Sequence, residues 1–200
     1  MSSPTTTIGR GPALPGAAGN KRLPNSVLGM IIFVSSEVMF FAALISADTI
    51  ARSSALGGVW PPVGQPRLPV ERTAFNTAIL LLSGILLWIA NRRMNAEPER
   101  ALRYVAGAIV TGMAFVMLQG VEWVALLREG LTMTSSNHGA FFYLIVGAHA
   151  LHAVVAILAL TWVYILMRLG KGSPSTFMAT QVFWYFVVII WPLIYLRVYL

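Results

Sequence analysis

The sequence predicts an all-α integral membrane protein, built as a bundle of five transmembrane helices. Two observations support this fold class. Of the 200 residues, 57% are hydrophobic and only 10% are charged, whereas soluble domains carry about 45–50% apolar and about 25% charged residues. The mean hydropathy is +0.73. Because a transmembrane helix needs about 20 apolar residues, the chain has room for about five or six spans and for no further soluble domain.

Polar segments divide the chain into a tail and five spans. Residues 1–25 are rich in Pro, Gly, Ser and Thr and lack the apolar core of a signal peptide, so they are predicted to form a disordered tail that is not cleaved. The remaining residues, 26–200, are predicted to form one transmembrane domain. The spans lie at about 26–47, 73–90, 104–127, 139–167 and 177–196.

The boundaries of the spans follow from charges and from helix-breaking residues. The first span contains one charge, Glu37, and is followed by a proline-rich loop over 48–72. The second span carries no charge and precedes an arginine-rich connector. The third span contains Glu122 and is followed by a polar loop. The fourth span ends before a turn with Gly170 and Pro174, after which the fifth span begins.

The distribution of Lys and Arg predicts the orientation of the bundle. Nine of them fall on the side of the N-terminal tail and five on the opposite side. Since cytoplasmic loops carry the excess of basic residues, the N-terminus is predicted to be cytoplasmic and the C-terminus to lie outside. The net charge of +7 is therefore interpreted as a topology signal, with no nucleic-acid partner. The absence of cysteine excludes disulfides, thiolate metal sites and cysteine nucleophiles.

Charged and polar residues within the spans are the candidate functional residues. Glu37 lies midway along the first span, where a carboxylate costs about 2.5–3.5 kcal/mol on insertion scales. It is expected to be protonated, paired, or turned toward a protein interface or a water-filled cavity. A structural role between helices and a role in proton or headgroup binding both remain open. Glu122 lies near one end of its span beside Trp123, which places it close to the interface.

His149 and His152 are three residues apart and therefore share one face of the fourth helix. Such a pair can ligate a metal or haem, or it can form hydrogen bonds between packed helices. The second role is favoured, because a carboxylate-bridged dimetal bundle needs Glu-x-x-His repeats. Here the residues three positions after Glu37 and Glu122 are Phe and Ala. His138 is assigned to a loop.

Several short motifs occur in a characteristic order along the chain. They are Gly29-Met30-Ile31-Ile32-Phe33, Ser36-Glu37-Val38-Met39-Phe40-Phe41, Gly57-Gly58-Val59-Trp60-Pro61-Pro62, Asn76-Thr77, Ser83-Gly84, Gln119 with Glu122-Trp123, and Gly147-Ala148-His149-Ala150-Leu151-His152. In this order they resemble subunit III of the haem-copper cytochrome c oxidases over about Val27–Tyr199.

Two features depart from the family that the chain resembles. The last helix of that family usually carries His and Asp where this sequence has Tyr185 and Val188, so any role of those two groups is absent or relocated. Many members also have seven spans, and this chain is similar to the last five. The resemblance therefore implies that the first hairpin is dispensed with or supplied by another subunit.

The resemblance implies an accessory subunit without a redox centre, in a proton-pumping oxidase of a bacterial cell membrane. Haem and copper are expected in partner subunits, and a structural phospholipid is expected against this one. The expected partners are catalytic subunit I, subunit II and a cytochrome bc complex. No catalytic or metal-binding residue is predicted. The residues that the resemblance implies for lipid binding or proton uptake are Glu37, His149, His152, Glu122, Trp60, Arg72 and Asn76.

Three other functions remain open at the level of the sequence. The first is the corresponding subunit of a quinol oxidase. The second is a small proton-coupled permease that uses Glu37, which the absence of inverted repeats disfavours. The third is a membrane metalloenzyme built on the intramembrane Glu and His residues.

Overall fold

A computed structural model of the protein describes residues 23–54 and 68–199, and in these ranges it contains five α-helices and no strand. All five helices are long and apolar enough to cross a membrane. The predicted all-α fold of five membrane-spanning helices is therefore confirmed. The helices are α1 (Asn25–Ser53), α2 (Val70–Arg93), α3 (Pro98–Arg128), α4 (Asn137–Arg168) and α5 (Pro174–Val198).

Each predicted span lies within one of these helices, and every helix extends further at both ends. Asn25, which was assigned to the disordered tail, is the first residue of α1. The rest of that tail over 1–22, and the part of the proline-rich loop over 55–67, lie outside the described residues. His138, which was assigned to a loop, is the second residue of α4 and is buried.

Local signals explain where the helices begin and end. Pro98 and Pro174 are the first residues of α3 and α5, a position where the missing N–H of proline is not needed. The Ser136 hydroxyl caps α4 by accepting the Gly139 amide at 3.1 Å. Gly130 and Gly170 have positive φ angles of 90° and 69°, which lets the chain turn sharply after α3 and α4.

Helix α5 lies at the centre of the packing and contacts α1, α2 and α4. Trp184 and Trp191 are seven residues apart on α5, so they lie on the same face, and both are fully buried. Their indoles reach α3. A Cβ on Gly112 would lie only 2.8 Å from the Trp184 ring, and Phe115 meets Trp191 edge-on with ring centroids 5.1 Å apart.

Helices α2 and α3 form the most extensive pair of the bundle, and small side chains allow their close approach. Ser83 is fully buried and donates its hydroxyl hydrogen to the carbonyl oxygen of Ala108 on α3 at 2.7 Å. Gly84 faces α5, where an added Cβ would lie 3.0 Å from Val188. The Ser-Gly pair of the sequence therefore joins α2 to two neighbouring helices.

Candidate functional site

Glu37 and His152 join α1 to α4 near the middle of both helices. The Nε2 atom of His152 lies 2.9 Å from Oε2 of Glu37, and the two side chains are 15% and 19% exposed. Ring contacts with Phe41 and Phe186 flank the imidazole. Glu37 is thus paired across a helix interface, which is one of the arrangements expected from its position in the sequence.

The hydrogen bonds of this pair limit where its protons can be. The Nδ1 atom of His152 lies 2.7 Å from the carbonyl oxygen of Ala148. A carbonyl only accepts, so Nδ1 carries a hydrogen. The short contact between Nε2 and Glu37 then needs one further proton between them. The pair is either a protonated carboxyl donating to a neutral imidazole, or an imidazolium donating to a carboxylate.

Glu122 is the centre of a second polar cluster, between α2 and α3. Its carboxyl group faces three donors: the Thr73 hydroxyl at 2.9 Å, the Asn76 amide at 3.1 Å and the Gln119 amide at 3.3 Å. Gln119 also donates to the Tyr199 hydroxyl at 3.0 Å. Glu122 is only 6% exposed. The carboxyl group is therefore buried within the bundle, where polar side chains of α2 and α3 satisfy it. Its expected depth close to the membrane interface stays a prediction.

The hydroxyl of Thr73 allows two arrangements around Glu122. Its oxygen lies 2.9 Å from both Oε2 of Glu122 and the Pro69 carbonyl oxygen, yet a hydroxyl has a single hydrogen. When Glu122 is ionised, Thr73 can donate to the carboxylate. When Glu122 is protonated on Oε2, it can donate to Thr73, which then donates to Pro69. Both protonation states therefore fit the same positions of the heavy atoms.

His149 lies between the two clusters but joins neither by a direct hydrogen bond. The side chain is buried, and within the described part of the chain neither ring nitrogen has a hydrogen-bond partner. Three aromatic rings surround it, with centroid distances of 6.5 Å to Phe41, 6.1 Å to Phe115 and 4.7 Å to Trp191. The predicted interhelical hydrogen bond is formed by His152 and not by His149.

The other predicted residues have separate surroundings. Asn76 is buried against Glu122. Arg72 is exposed and lines a groove of about 450 Å³ between α2 and α3. Trp60 lies outside the described residues. Among residues 23–54 and 68–199, no group of three or more His, Asp or Glu side chains is placed to hold a metal ion.

Some residues of these clusters were not singled out from the sequence. Thr73 and Tyr199 complete the surroundings of Glu122, and Trp191 donates its indole hydrogen to Thr77 at 2.9 Å. A signal was present on α2, because Thr73 and Thr77 are four residues apart on one helix face. Asp48 was also overlooked: it is buried within α1 and bonds Arg52 at 2.8 Å.

Comparison with known proteins supports the family resemblance of the sequence. A family model described as cytochrome c oxidase subunit III matches residues 18–200. The chain belongs to the cytochrome c oxidase subunit III family. Membership makes it a subunit of an oxidase complex that associates with other oxidase subunits, and a multi-pass membrane protein.

Among curated proteins, the chain is similar to the cytochrome c oxidase subunits 3 of several animals. It is 32% identical to that of Pelomedusa subrufa over 181 residues, 33% to that of Locusta migratoria over 179 and 30% to that of Homo sapiens over 179. Each match covers 86% of this chain and 67% of the relative. The chain thus corresponds to about two thirds of these longer proteins.

The two departures from the subunit III pattern lie together on α5. Val188 packs against Gly84 of α2, so an apolar contact occupies the position where an Asp was expected. The Tyr185 hydroxyl is buried and has no hydrogen-bond partner among the described residues. Tyr185 and Val188 also line the same apolar groove beside α2. Neither replacement adds a polar contact to the Glu37 or Glu122 cluster.

Proposed function

We propose that this chain is the non-redox subunit III of a proton-pumping haem-copper oxidase that transfers electrons from cytochrome c to oxygen. In this proposal the protein binds subunits I and II in a bacterial plasma membrane, with its N-terminus in the cytoplasm. It holds phospholipid and supports proton uptake. Haem and copper belong to the partner subunits, and family membership favours this role over a permease. The observation that carries the proposal is the Glu37–His152 pair inside the membrane.

The proton-uptake part rests on the chemistry of this pair. Its two groups share one proton between Glu37 Oε2 and His152 Nε2, and transfer of that proton needs no movement of heavy atoms. Both side chains are partly exposed, so they remain accessible from the surface that meets lipid or a partner subunit. A pair of this kind can take up and release a proton near the catalytic subunit, as intramembrane carboxylates commonly do.

A Glu37→Gln variant of the intact oxidase tests this role. Glutamine keeps the size of the side chain and can donate a hydrogen bond to His152, but it cannot titrate. We expect normal assembly and haem spectra, with a shorter lifetime of activity during turnover. Glu129→Gln is the matched control, because Glu129 is exposed at the end of α3. A lifetime and a proton-to-electron ratio equal to those of the control would reject the proton role.

The lipid-binding part rests on the groove between α2 and α3. Arg72 lies in the first turn of α2 at the edge of this groove, and apolar side chains such as Phe75, Leu118 and Val121 line it further along. A guanidinium next to an apolar groove suits a phospholipid, whose phosphate pairs with Arg and whose acyl chain lies along the apolar wall. In the proposed orientation, α2 begins on the outer side, so the lipid belongs to the outer leaflet.

Native mass spectrometry of the complex tests this lipid site. Arg72→Gln is expected to lower the number of phospholipids that stay bound, because the phosphate loses its charged partner. Arg128→Gln is the control, since Arg128 is an exposed arginine in the last turn of α3. Equal lipid retention in both variants would place the lipid elsewhere.

The electron donor is decided by other subunits, so it is tested on the purified complex. Oxygen consumption with reduced cytochrome c, and none with a short-chain quinol, is the expected result. The reverse result would assign the chain to a quinol oxidase.

A further inference from the structure

The groove between α2 and α3 has two opposite charges at one end. Glu71 and Arg72 both line it, and both side chains are exposed in the first turn of α2. Consecutive residues of a helix point in directions about 100° apart, so these two side chains extend away from each other. The five ion pairs within residues 23–54 and 68–199 include neither of them. The mouth of the groove therefore offers a ligand both a carboxylate and a guanidinium.

From this arrangement we infer that Glu71 makes the groove selective for phospholipids whose headgroup carries a primary amine, such as phosphatidylethanolamine. The inference rests on the lipid site proposed above and adds the chemical class of its ligand. In such a headgroup, two carbon atoms separate a phosphate from an ammonium. Arg72 can pair with the phosphate, while Glu71 accepts hydrogen bonds from the ammonium, which has three hydrogens to donate. The charges of the headgroup thus match those of the groove.

The other carboxyl group of the groove is already engaged within the bundle. Glu122 also lines the groove, but it is only 6% exposed, and three polar side chains contact its carboxyl oxygens. Asn76 is one of these three, and it too is buried. The remaining lining residues are apolar: Phe75, Leu118, Val121 and Ala125. Among the residues that line the groove, Glu71 is therefore the carboxylate that can meet a cationic headgroup.

The pair of charges favours a primary amine over two other kinds of headgroup. An anionic headgroup such as that of phosphatidylglycerol can pair with Arg72, but it brings no cation to Glu71, which repels its negative charge. A choline headgroup brings a cation, but its quaternary nitrogen has no hydrogen to donate. A primary ammonium provides both the charge and the hydrogen bonds. An ion pair at a partly exposed site corresponds to a preference of about two- to fivefold.

A carboxylate in the first turn of a helix also interacts favourably with the helix dipole, whatever lies next to it. Glu99 has the same position in α3. It is exposed, and it does not line the groove. An effect on helix stability is therefore common to both residues, whereas an effect on the choice of headgroup is specific to Glu71. Glu99→Gln is accordingly the matched control for Glu71→Gln.

The test uses the intact oxidase in nanodiscs that contain equal amounts of phosphatidylethanolamine, phosphatidylcholine and phosphatidylglycerol with the same acyl chains. Native mass spectrometry counts the bound phospholipids and identifies their headgroups, and subtraction of the Arg72→Gln spectrum removes lipids bound elsewhere. Glu71→Gln is expected to keep the number of bound lipids and to lower the ratio of phosphatidylethanolamine to phosphatidylglycerol by about two- to fivefold. Glu99→Gln is expected to keep both. Equal ratios in the two variants would overturn the inference.

The same experiment separates the choice of headgroup from the lipid site on which it rests. The number of bound lipids in Arg72→Gln tests the site, and a number equal to that of the wild type would overturn both. A lower number in Arg72→Gln, together with a headgroup ratio in Glu71→Gln that equals the wild type, would overturn only the role of Glu71.

Reversal of the charge at Glu71 provides a second measurement. Glu71→Lys places a second cation beside Arg72, so the bound lipid should now be mainly phosphatidylglycerol, and the shift in the ratio should exceed that of Glu71→Gln. Glu71 is exposed, so neither variant disturbs the packing of the bundle. Equal ratios in Glu71→Lys and in the wild type would contradict a selection by charge.

Discussion

Replacing Glu122 by leucine removes the acceptor on which three buried donors converge. The variant keeps a side chain of similar volume, so its main effect is on hydrogen bonding. Thr73 can turn its hydrogen to the Pro69 carbonyl oxygen, which is already at 2.9 Å. Gln119 keeps its bond to Tyr199. The Asn76 amide and the second hydrogen of the Gln119 amide are left without an acceptor.

The magnitude follows from these two unpaired groups. A buried donor without a partner costs about 1–3 kcal/mol, so the two unpaired donors of Glu122→Leu are expected to lower the free energy of unfolding by about 2–6 kcal/mol. Glu122→Gln should cost less. Its amide oxygen still accepts from Asn76, and its amide nitrogen donates to Thr73 as a protonated carboxyl would. Only the bond from Gln119 is lost, which leaves one buried donor unpaired instead of two, at a cost of about 1–3 kcal/mol.

The assay is unfolding of the purified chain by a titration with denaturing detergent in mixed micelles. The free energy of unfolding of both variants is compared with that of the wild type and of Glu129→Gln, which changes an exposed carboxylate. Leucine and glutamine variants of equal stability would refute the argument from unpaired donors. So would a leucine variant within about 0.5 kcal/mol of the wild type, the usual range of surface substitutions.

Two further predictions concern helix packing and an ion pair. Gly84→Val should lower the free energy of unfolding by about 1–3 kcal/mol, because an added Cβ already lies 3.0 Å from Val188. In thermal unfolding, a double variant with Val188→Ala should recover part of this loss. No recovery would exclude the contact with Val188 as the cause. Asp48→Leu should destabilise the bundle more than Asp48→Asn, because asparagine can still accept the hydrogen that Arg52 donates at 2.8 Å. Equal thermal midpoints for the two variants would refute this difference in stability.

The fold could be predicted almost entirely from the sequence. Runs of apolar residues long enough to cross a bilayer leave the backbone one way to satisfy its hydrogen bonds in lipid, which is the helix. Pro98, Pro174, Gly130 and Gly170 mark helix ends for local reasons that hold in any tertiary context. The resemblance to the oxidase subunit also came from short motifs in order, and the family comparison supports it.

The candidate site was only partly predictable. Glu37 was a candidate because a carboxylate in an apolar span needs a partner. The sequence did not identify His152 as that partner, because the two residues are far apart along the chain. For Glu122, the neighbouring tryptophan predicts a depth close to the interface but does not predict its partners. In the folded chain the carboxyl group is buried between helices, where Thr73 and Asn76 of another helix supply donors. Such partners depend on how helices pack, and pairs on different helices leave no periodic signal.

His149 and His152 show most clearly what the sequence determines and what only the tertiary structure determines. By itself, the sequence determined that the protein spans a membrane with five helices and that both histidines lie near the middle of the fourth. Because they share one helix face, both were expected to form hydrogen bonds between packed helices. Only the tertiary structure decided that His152 meets Glu37 while His149 is enclosed by aromatic rings. The reason is physical: helix formation depends on neighbours in the chain, whereas the partner of a buried polar group depends on which helix packs against it.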